Sequence, residues 1–478
     1  MTAITTPGAA PAAPDAPVPM PRSRRRTELA MLVFAVAVVM FAYGSAGLGL
    51  NGKLPSGMLV YGIAFVVIMV IAHLAVRRLA PWSDPLLLPL AATLNGLGVV
   101  MIYRLQESGK NGNGGSPIGT LSSSATAVQI MWTALGIGCF IGVLAVIREP
   151  RVLQRYTYTF GAVGLVLLAI PALLPASLSE VNGAKVWITL GGFSIQPGEF
   201  AKLALAVFFG GYLVVKRDVL ALAGRRVAGV DLPRARDLGP VLIAWGTSLL
   251  ILVFETDIGT SALFFGLFVA MIYIATQRTS WLLIGLLLFL FGSFAASRLF
   301  GHVGERFDIW LHPFNGSNPF NNSYQLVQGL YGMGSGGILG TGLGHGQPYW
   351  TPLVQSDFVI TAFGEELGLT GLMAILLVYG LIVQRGLRAA VTVRDPFAKL
   401  LAGGLAFVLA LQVFVIVGGV TRLIPLTGIT TPFLSQGGSS LVASWMLIAL
   451  LMRVSDMARR PPPQPIQDEG MTQVVRVR

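Results

Sequence analysis

Charge is what this 478-residue chain has least of, with Asp, Glu, Lys and Arg making up 11% of it. A soluble globular protein carries about 25%. With 54% hydrophobic residues and a mean hydropathy of +0.73, so little charge cannot coat water-soluble domains. The roughly three soluble domains that the length alone suggests are therefore excluded. The composition is that of an integral membrane protein. The lone cysteine, Cys139, lies in an apolar run and excludes an internal disulfide. No Walker A sequence is present, so nucleotide-driven work has no support. The four histidines (His73, His302, His312, His345) lack metal-ligand spacing. A GxGxxG match at Gly332, Gly334 and Gly337 falls in an expected external loop with no strand before it, so it is no dinucleotide fingerprint.

The charge that is present is unbalanced, 33 Lys and Arg against 21 Asp and Glu, a net +12. Phosphate-backbone binding needs a closely spaced basic face. Here the basic residues stand in short clusters between apolar runs, which predicts topology and no nucleic-acid partner. No cleavable signal peptide is expected, because Arg22, Arg24, Arg25 and Arg26 lead into an apolar run long enough to span.

A spanning helix needs about 20 mainly apolar residues. Such stretches occur at 29–49, 54–76, 85–103, 126–147, 156–178, 199–215, 238–254, 258–276, 280–298, 358–384, 400–421 and 433–452, which makes twelve. The run 238–276, interrupted by Glu255 and Asp257, predicts a helical hairpin with its tip at those acids. With the N-terminus in the cytoplasm and sides alternating, 25 of the 33 basic residues fall on the cytoplasmic side. That asymmetry predicts a multi-pass plasma-membrane protein with both termini cytoplasmic. The segments 1–27 and 456–478 read as disordered cytoplasmic tails, 28–150 as N-terminal transmembrane helices, and 105–124 as a flexible external loop. The stretch 299–357 is a long external loop whose aromatic content favours a functional role.

An ionisable residue at a membrane span is costly and is a functional candidate by default. Glu199 and Lys202 are three apart and can pair on one helix face. Glu255 and Asp257 mark the hairpin tip, and Asp357 stands at the mouth of the span after the long loop, with Glu365 and Glu366 two turns deeper. Alternation gathers Glu199, Glu255, Asp257 and Asp357 at the outer end. Each also has a structural reading. Asp357 and Asp257 fit helix N-caps, Glu199 and Lys202 a packing pair, and Glu365 and Glu366 hydrogen-bonded helix contacts.

Five ordered segments carry a resemblance: NGAKVWITLGGFSIQPGEFAKLAL (182–205), ETDIGTSAL (255–263), SYQLVQGLYGMGSGGILGTGLGHG (323–346), SDFVITAFGEELGLTG (356–371) and GGVTRLIPLTGITTPFLSQGGSS (418–440). Together they resemble the RodA/FtsW/SpoVE (SEDS) family of peptidoglycan polymerases. Gly198 departs from the family's Ser, Glu255-Thr256 from its Gln-Pro and Gln436 from its Tyr. The resemblance implies an all-α, polytopic protein of ten core helices, here with two extra N-terminal ones as in actinobacterial members, and a catalytic core over 151–455. It also implies polymerisation of lipid II into glycan strands on the outer face during cell elongation or division. Its implied partners are a class B penicillin-binding protein and elongasome or divisome proteins, and within the family the chain looks nearer the RodA type.

The implied chemistry is an inverting glycosyl transfer from an undecaprenyl-pyrophosphate donor. Asp357 is then the general base, and Lys202, oriented by Glu199, steadies the pyrophosphate charge. Gln196, Trp187, Arg306, Gln325, Asp257, Glu365, Glu366 and Ser439 are substrate-binding candidates, and a divalent cation (Mg or Mn) is a further candidate component. Two other classes stay open on residues alone: a lipid II flippase or transporter, and a non-catalytic scaffold for the penicillin-binding protein. Transporters tend to show internal repeats and midplane charges. No clear repeat is visible here.

Overall fold

A computed structural model describes residues 25–110, 125–181, 184–190, 193–220, 223–227, 230–233, 239, 242–243, 245–247, 250–251, 257–315 and 320–461. Within lipid every backbone N–H and C=O must be satisfied inside its own segment, so long apolar stretches become helices. Ten described helices are long and apolar enough to span. These are α1 (Arg25–Asn51), α2 (Met58–Leu79), α3 (Leu87–Lys110), α4 (Ala125–Val146), α6 (Pro197–Leu220), α7 (Ile258–Thr276), α8 (Thr279–Leu299), α11 (Val359–Thr392), α12 (Pro396–Val420) and α13 (Gly438–Arg459). An eleventh apolar helix, α5 (Thr157–Leu173), is shorter and carries Pro171 in its last turn. The predicted span 238–254 and Glu255 lie largely outside the described residues. The chain is an all-α, polytopic membrane protein.

The helices pack α5 on α6, α4 on α13, α11 on α12, α1 on α3, and α7 against both α6 and α12. One continuous apolar core runs from Leu32 to Val454, so the N-terminal helices and the remainder are not separate bodies. By contrast, α8 turns Leu283, Leu286, Leu287 and Phe291 outward, an apolar face suited to lipid. Short antiparallel hairpins pair Ile188–Leu190 with Phe193–Ile195 just before α6, and Ala223–Val227 with Val230–Pro233 at the opposite end of the bundle.

Several boundaries differ from the expectations. The tail predicted for 1–27 gives way to helix at Arg25, because the Arg25 guanidinium is buried against the Glu28 carboxylate. Helix α3 runs on to Lys110, past the start of the loop predicted from 105, and α13 runs on to Arg459, past the start of the tail predicted from 456. The last span starts at Gly438 and not near 433, because Phe433 takes a positive φ of 66° and holds a turn. The long segment 299–357 is built of α9 (Gly301–Leu311), α10 (Tyr324–Gly336) and a 3₁₀ turn at Pro348–Trp350. Gly332 and Gly334 of the GxGxxG match therefore lie on a helix, with Gly337 as its C-cap.

The segment after α10 locks into α11. Gly368 breaks α11 with φ 67° and ψ −171°, a conformation essentially reserved for glycine. The 337–342 chain lies in that break, where Leu369 N–H donates to Gly337 O (2.9 Å), Thr370 N–H to Ile338 O (3.0 Å) and Gly342 N–H to Glu366 O (2.9 Å). A Cβ on Gly368 would lie 2.2 Å from the Gly340 nitrogen, so no side chain fits.

Candidate active site at one end of the bundle

Pro197 opens α6 at a position where a missing N–H costs nothing. Glu199 follows in the first turn, where the helix dipole favours an acid. Its carboxylate pairs with the Lys202 ammonium one turn on, and both side chains are buried. The same ammonium donates to Gln412 Oε1 on α12 at 2.9 Å, and Gln412 Nε2 donates to Thr430 O at 3.0 Å. An ammonium has three donors. The third has no partner among the described residues and is available to an incoming anion.

The linker between α12 and α13 ties this group to the others. Gln436 N–H donates to Gln355 O at 2.8 Å, and the Ser435 hydroxyl donates to Ser356 O, which fixes the turn leading to Asp357. Ser439 Oγ accepts from the Gln196 backbone N–H at 3.1 Å. Arg306 Nη1, on α9, donates to Leu426 O at 3.0 Å, and the guanidinium packs over Gly428. The remaining Arg306 N–H groups have no partner among the described residues. Lys202, through Gln412, and Arg306 thus reach carbonyls four residues apart in one linker, at most roughly 14 Å along the chain.

Asp357 stands two residues before α11, whose N-cap is Phe358. Its Oδ1 accepts from the Ser356 hydroxyl at 2.8 Å, in a turn where Leu353 sits at φ 52°. A bulky residue in the left-handed region stores backbone strain, which persists only where surrounding structure enforces it. Burial pushes the Asp357 carboxyl above its ordinary range, with the Ser356 hydrogen bond and the positive Arg306 pulling partly back. Asp257 is also held up by burial, offset by Thr260 and Arg306, so Arg306 faces both carboxylates.

The other candidates take more structural positions. Asp257 caps α7 by accepting from Thr260 N–H at 3.0 Å. The Glu366 carboxylate meets the buried Arg104 guanidinium and Gly344 N–H (3.1 Å), and Glu365 accepts from Gln347 N–H, so both acids brace the glycine-rich loop. Gln325 Nε2 donates to Pro352 O at 2.9 Å and steadies the approach to Asp357. Trp187 is half-buried just before the Ile188–Ile195 hairpin, its backbone N–H on Ser179 O (3.2 Å). Gln412, Arg104 and Ser435 were not anticipated. A signal for Gln412 existed, since it is the only uncharged polar side chain in α12.

An apolar groove of about 870 Å³ opens beside this group, between α7, α8 and α12 and roofed by α9. Ile258 and Thr427 line its site end, and Phe265, Phe289 and Leu411 lie deeper. A cationic, carboxylate-bearing head site thus continues into an apolar slot.

With the geometry in place, comparison with known proteins is decisive. The FtsW/RodA/SpoVE family model, described as a cell cycle protein, matches residues 84–460. The chain belongs to that family. It is 49% identical to the peptidoglycan glycosyltransferase RodA of Mycobacterium tuberculosis over 449 residues, 94% of each chain. It is 50% identical to RodA of Mycobacterium leprae over 401 residues, 84% of each, and 33% identical to the stage V sporulation protein E of Bacillus subtilis over 304 residues, 61% of this chain and 77% of that one. In fold it resembles a chain of a peptidoglycan synthase complex (TM-score 0.52, 23% identity, 84% of this chain and 98% of that one). It also resembles the rod shape determining protein RodA of Thermus thermophilus (TM-score 0.52, 23% identity, 79% and 99%). The family match begins at residue 84, so α1 and α2 stand before it. From there on α3–α8 and α11–α13 supply nine helices among the described residues, and the expected span 238–254 lies largely outside them.

Proposed function

We propose that this SEDS-family chain is a RodA-type peptidoglycan glycosyltransferase that polymerises lipid II at the outer face of the plasma membrane. The observation that carries the reading is the convergence, at one end of the bundle, of Asp357, Arg306 and the Glu199–Lys202–Gln412 group beside an apolar groove. A lipid-linked sugar pyrophosphate has the matching parts: a polyprenyl chain for the groove, a diphosphate for the cations and a sugar at the carboxylate. The excess of Lys and Arg at the other end orients both termini to the cytoplasm and this site outward.

Asp357 takes the proton from the acceptor sugar 4-hydroxyl as that oxygen attacks the donor anomeric carbon. The carbon–oxygen bond to the pyrophosphate breaks in the same displacement, the centre inverts once, and the diphosphate leaves with its negative charge. Lys202, held by Glu199 and Gln412, and Arg306 meet that charge with donors already in place. A raised pKa suits Asp357 to receive the proton. Among the described residues no three His, Cys, Asp or Glu side chains cluster. Among the described residues the donor set therefore forms no protein-built metal site, and no step is routed through a cation.

The solved complex that this fold resembles is described as coordinating polymerisation and crosslinking. By extension this chain works with a class B penicillin-binding protein that crosslinks its glycan. The test is lipid II supplied in detergent, where no membrane crossing is needed. The purified chain with its transpeptidase should make glycan strands, whereas a flippase or scaffold would make none.

A further inference from the structure

A second cavity, of about 710 Å³, lies at the end of the bundle opposite Asp357. Its walls come from the first turns of α1, the turn 81–86, the last turns of α11 and the end of α13, and they carry Arg385, Arg388 and Arg459 around a single acid, Asp84. Asp84 is fully engaged. Its Oδ1 accepts from Leu86 N–H (3.0 Å), its Oδ2 pairs with Arg459, and Arg385 Nη1 reaches it only at 3.8 Å. The neighbouring acids are occupied as well. Asp456 takes Arg460 at 2.9 Å and Trp82 N–H at 2.8 Å, and Glu28 takes Arg25 and His73. Arg385 Nε is buried with no acceptor, and the Arg388 guanidinium has no ion pair among the described residues. Among the described residues the lining therefore carries two more positive charges than negative ones.

Topology and helix dipoles explain why arginines collect at this end of the bundle. They do not explain a buried guanidinium N–H left unpaired beside an open cavity, because such a group costs free energy unless something binds it. The rest of the lining mixes apolar residues, among them Met31, Pro85, Leu86 and Ala389, with the hydroxyl-bearing Thr27, Ser83 and Thr392, and Trp82 supplies an amphipathic ring of the kind found at head-group level. Basic pockets between spans take anionic lipid head groups. Thr27, Met31 and residues 81–83 precede residue 84, where the family match begins, so this wall belongs to the N-terminal addition.

We propose that this cavity binds a phosphate-bearing anion, the head group of an anionic phospholipid, through Arg385 and Arg388. Full-length protein in detergent is titrated with phosphatidylglycerol, phosphatidylcholine or inorganic phosphate, and retention is read by native mass spectrometry alongside melting. Phosphatidylglycerol should be retained in preference to phosphatidylcholine, and Arg385→Gln and Arg388→Gln should each weaken it roughly fivefold. Arg217→Gln, an exposed arginine at the same end, should change nothing. Arg388 has no ion pair to lose, so its variant keeps the test readable even if Arg385→Gln folds poorly. Equal retention of the two lipids, or undiminished phosphatidylglycerol binding in the double variant, overturns the proposal. Arginine-dependent binding of inorganic phosphate without phosphatidylglycerol overturns the lipid head group as the source.

Discussion

Lys202 and Gln412 are 210 positions apart in sequence, yet the ammonium of one donates to the side-chain carbonyl of the other at 2.9 Å inside the bundle. Through Gln412 the lysine is fastened to Thr430 O, in the same linker that positions Asp357 and Arg306. Gln412→Leu should leave the Lys202 donor and the Thr430 carbonyl unpaired and cost about 1–3 kcal/mol of stability. A shifted ammonium should also lower glycan polymerisation by about 100-fold. Melting and initial rates on lipid II check both.

Arg306 is the positive charge that restrains the rise of the Asp357 pKa. Removing it in Arg306→Gln leaves burial less opposed, so the pKa moves further up. The base acts only when deprotonated, so the acid limb of the pH–rate profile should move to higher pH. Arg306→Lys should restore part of the shift but less of the rate, since an ammonium lacks the guanidinium's several fixed donors.

Asp357 should oppose stability at neutral pH. Its folded pKa is raised above the ordinary 3.8, so the fold prefers the protonated form more than the unfolded chain does. Stability from this group is complete below about 3.8 and is lost as pH rises through the folded value. Asp357→Asn should therefore melt at the same or a higher temperature at neutral pH while losing polymerisation. A variant that melts well below wild type would contradict this sign.

Gly368 tests the lock between the glycine-rich loop and α11. Gly368→Ala asks a side chain to adopt φ 67°, ψ −171° and to enter space held by the Gly340 backbone. The cost should be roughly 3 kcal/mol or more. Lower yield of folded protein and a lower melting temperature would register it.

Ten of the expected spans were legible because apolar length is a strong and local signal, and Asp357, Lys202 and Glu199 stand out in the sequence because charge beside a span is expensive. What escaped depends on distant partners. For Glu365 and Glu366 the sequence leaves a substrate-binding and a hydrogen-bonding reading open, but not their partners: Arg104, 262 positions from Glu366, and the loop N–H groups. The turn at Phe433 escaped because Phe433 and Leu434 look like the start of the apolar run, although Ser435, Gln436 and Gly437 separate them from the helix and Phe433 takes a positive φ. Helices α9 and α10 were hidden by their Gly content, which tertiary packing overrides: Arg422 donates to Trp310 O (2.8 Å) and Leu311 O (3.0 Å) to hold the end of α9, and α10 packs on α11.

The most direct measurement is glycan synthesis from lipid II in detergent by the full chain with its transpeptidase partner, wild type against Asp357→Ala. The account predicts glycan strands from the wild type, and none from an Asp357→Ala protein that still melts as a folded species. Wild-type rates from Asp357→Ala would contradict it.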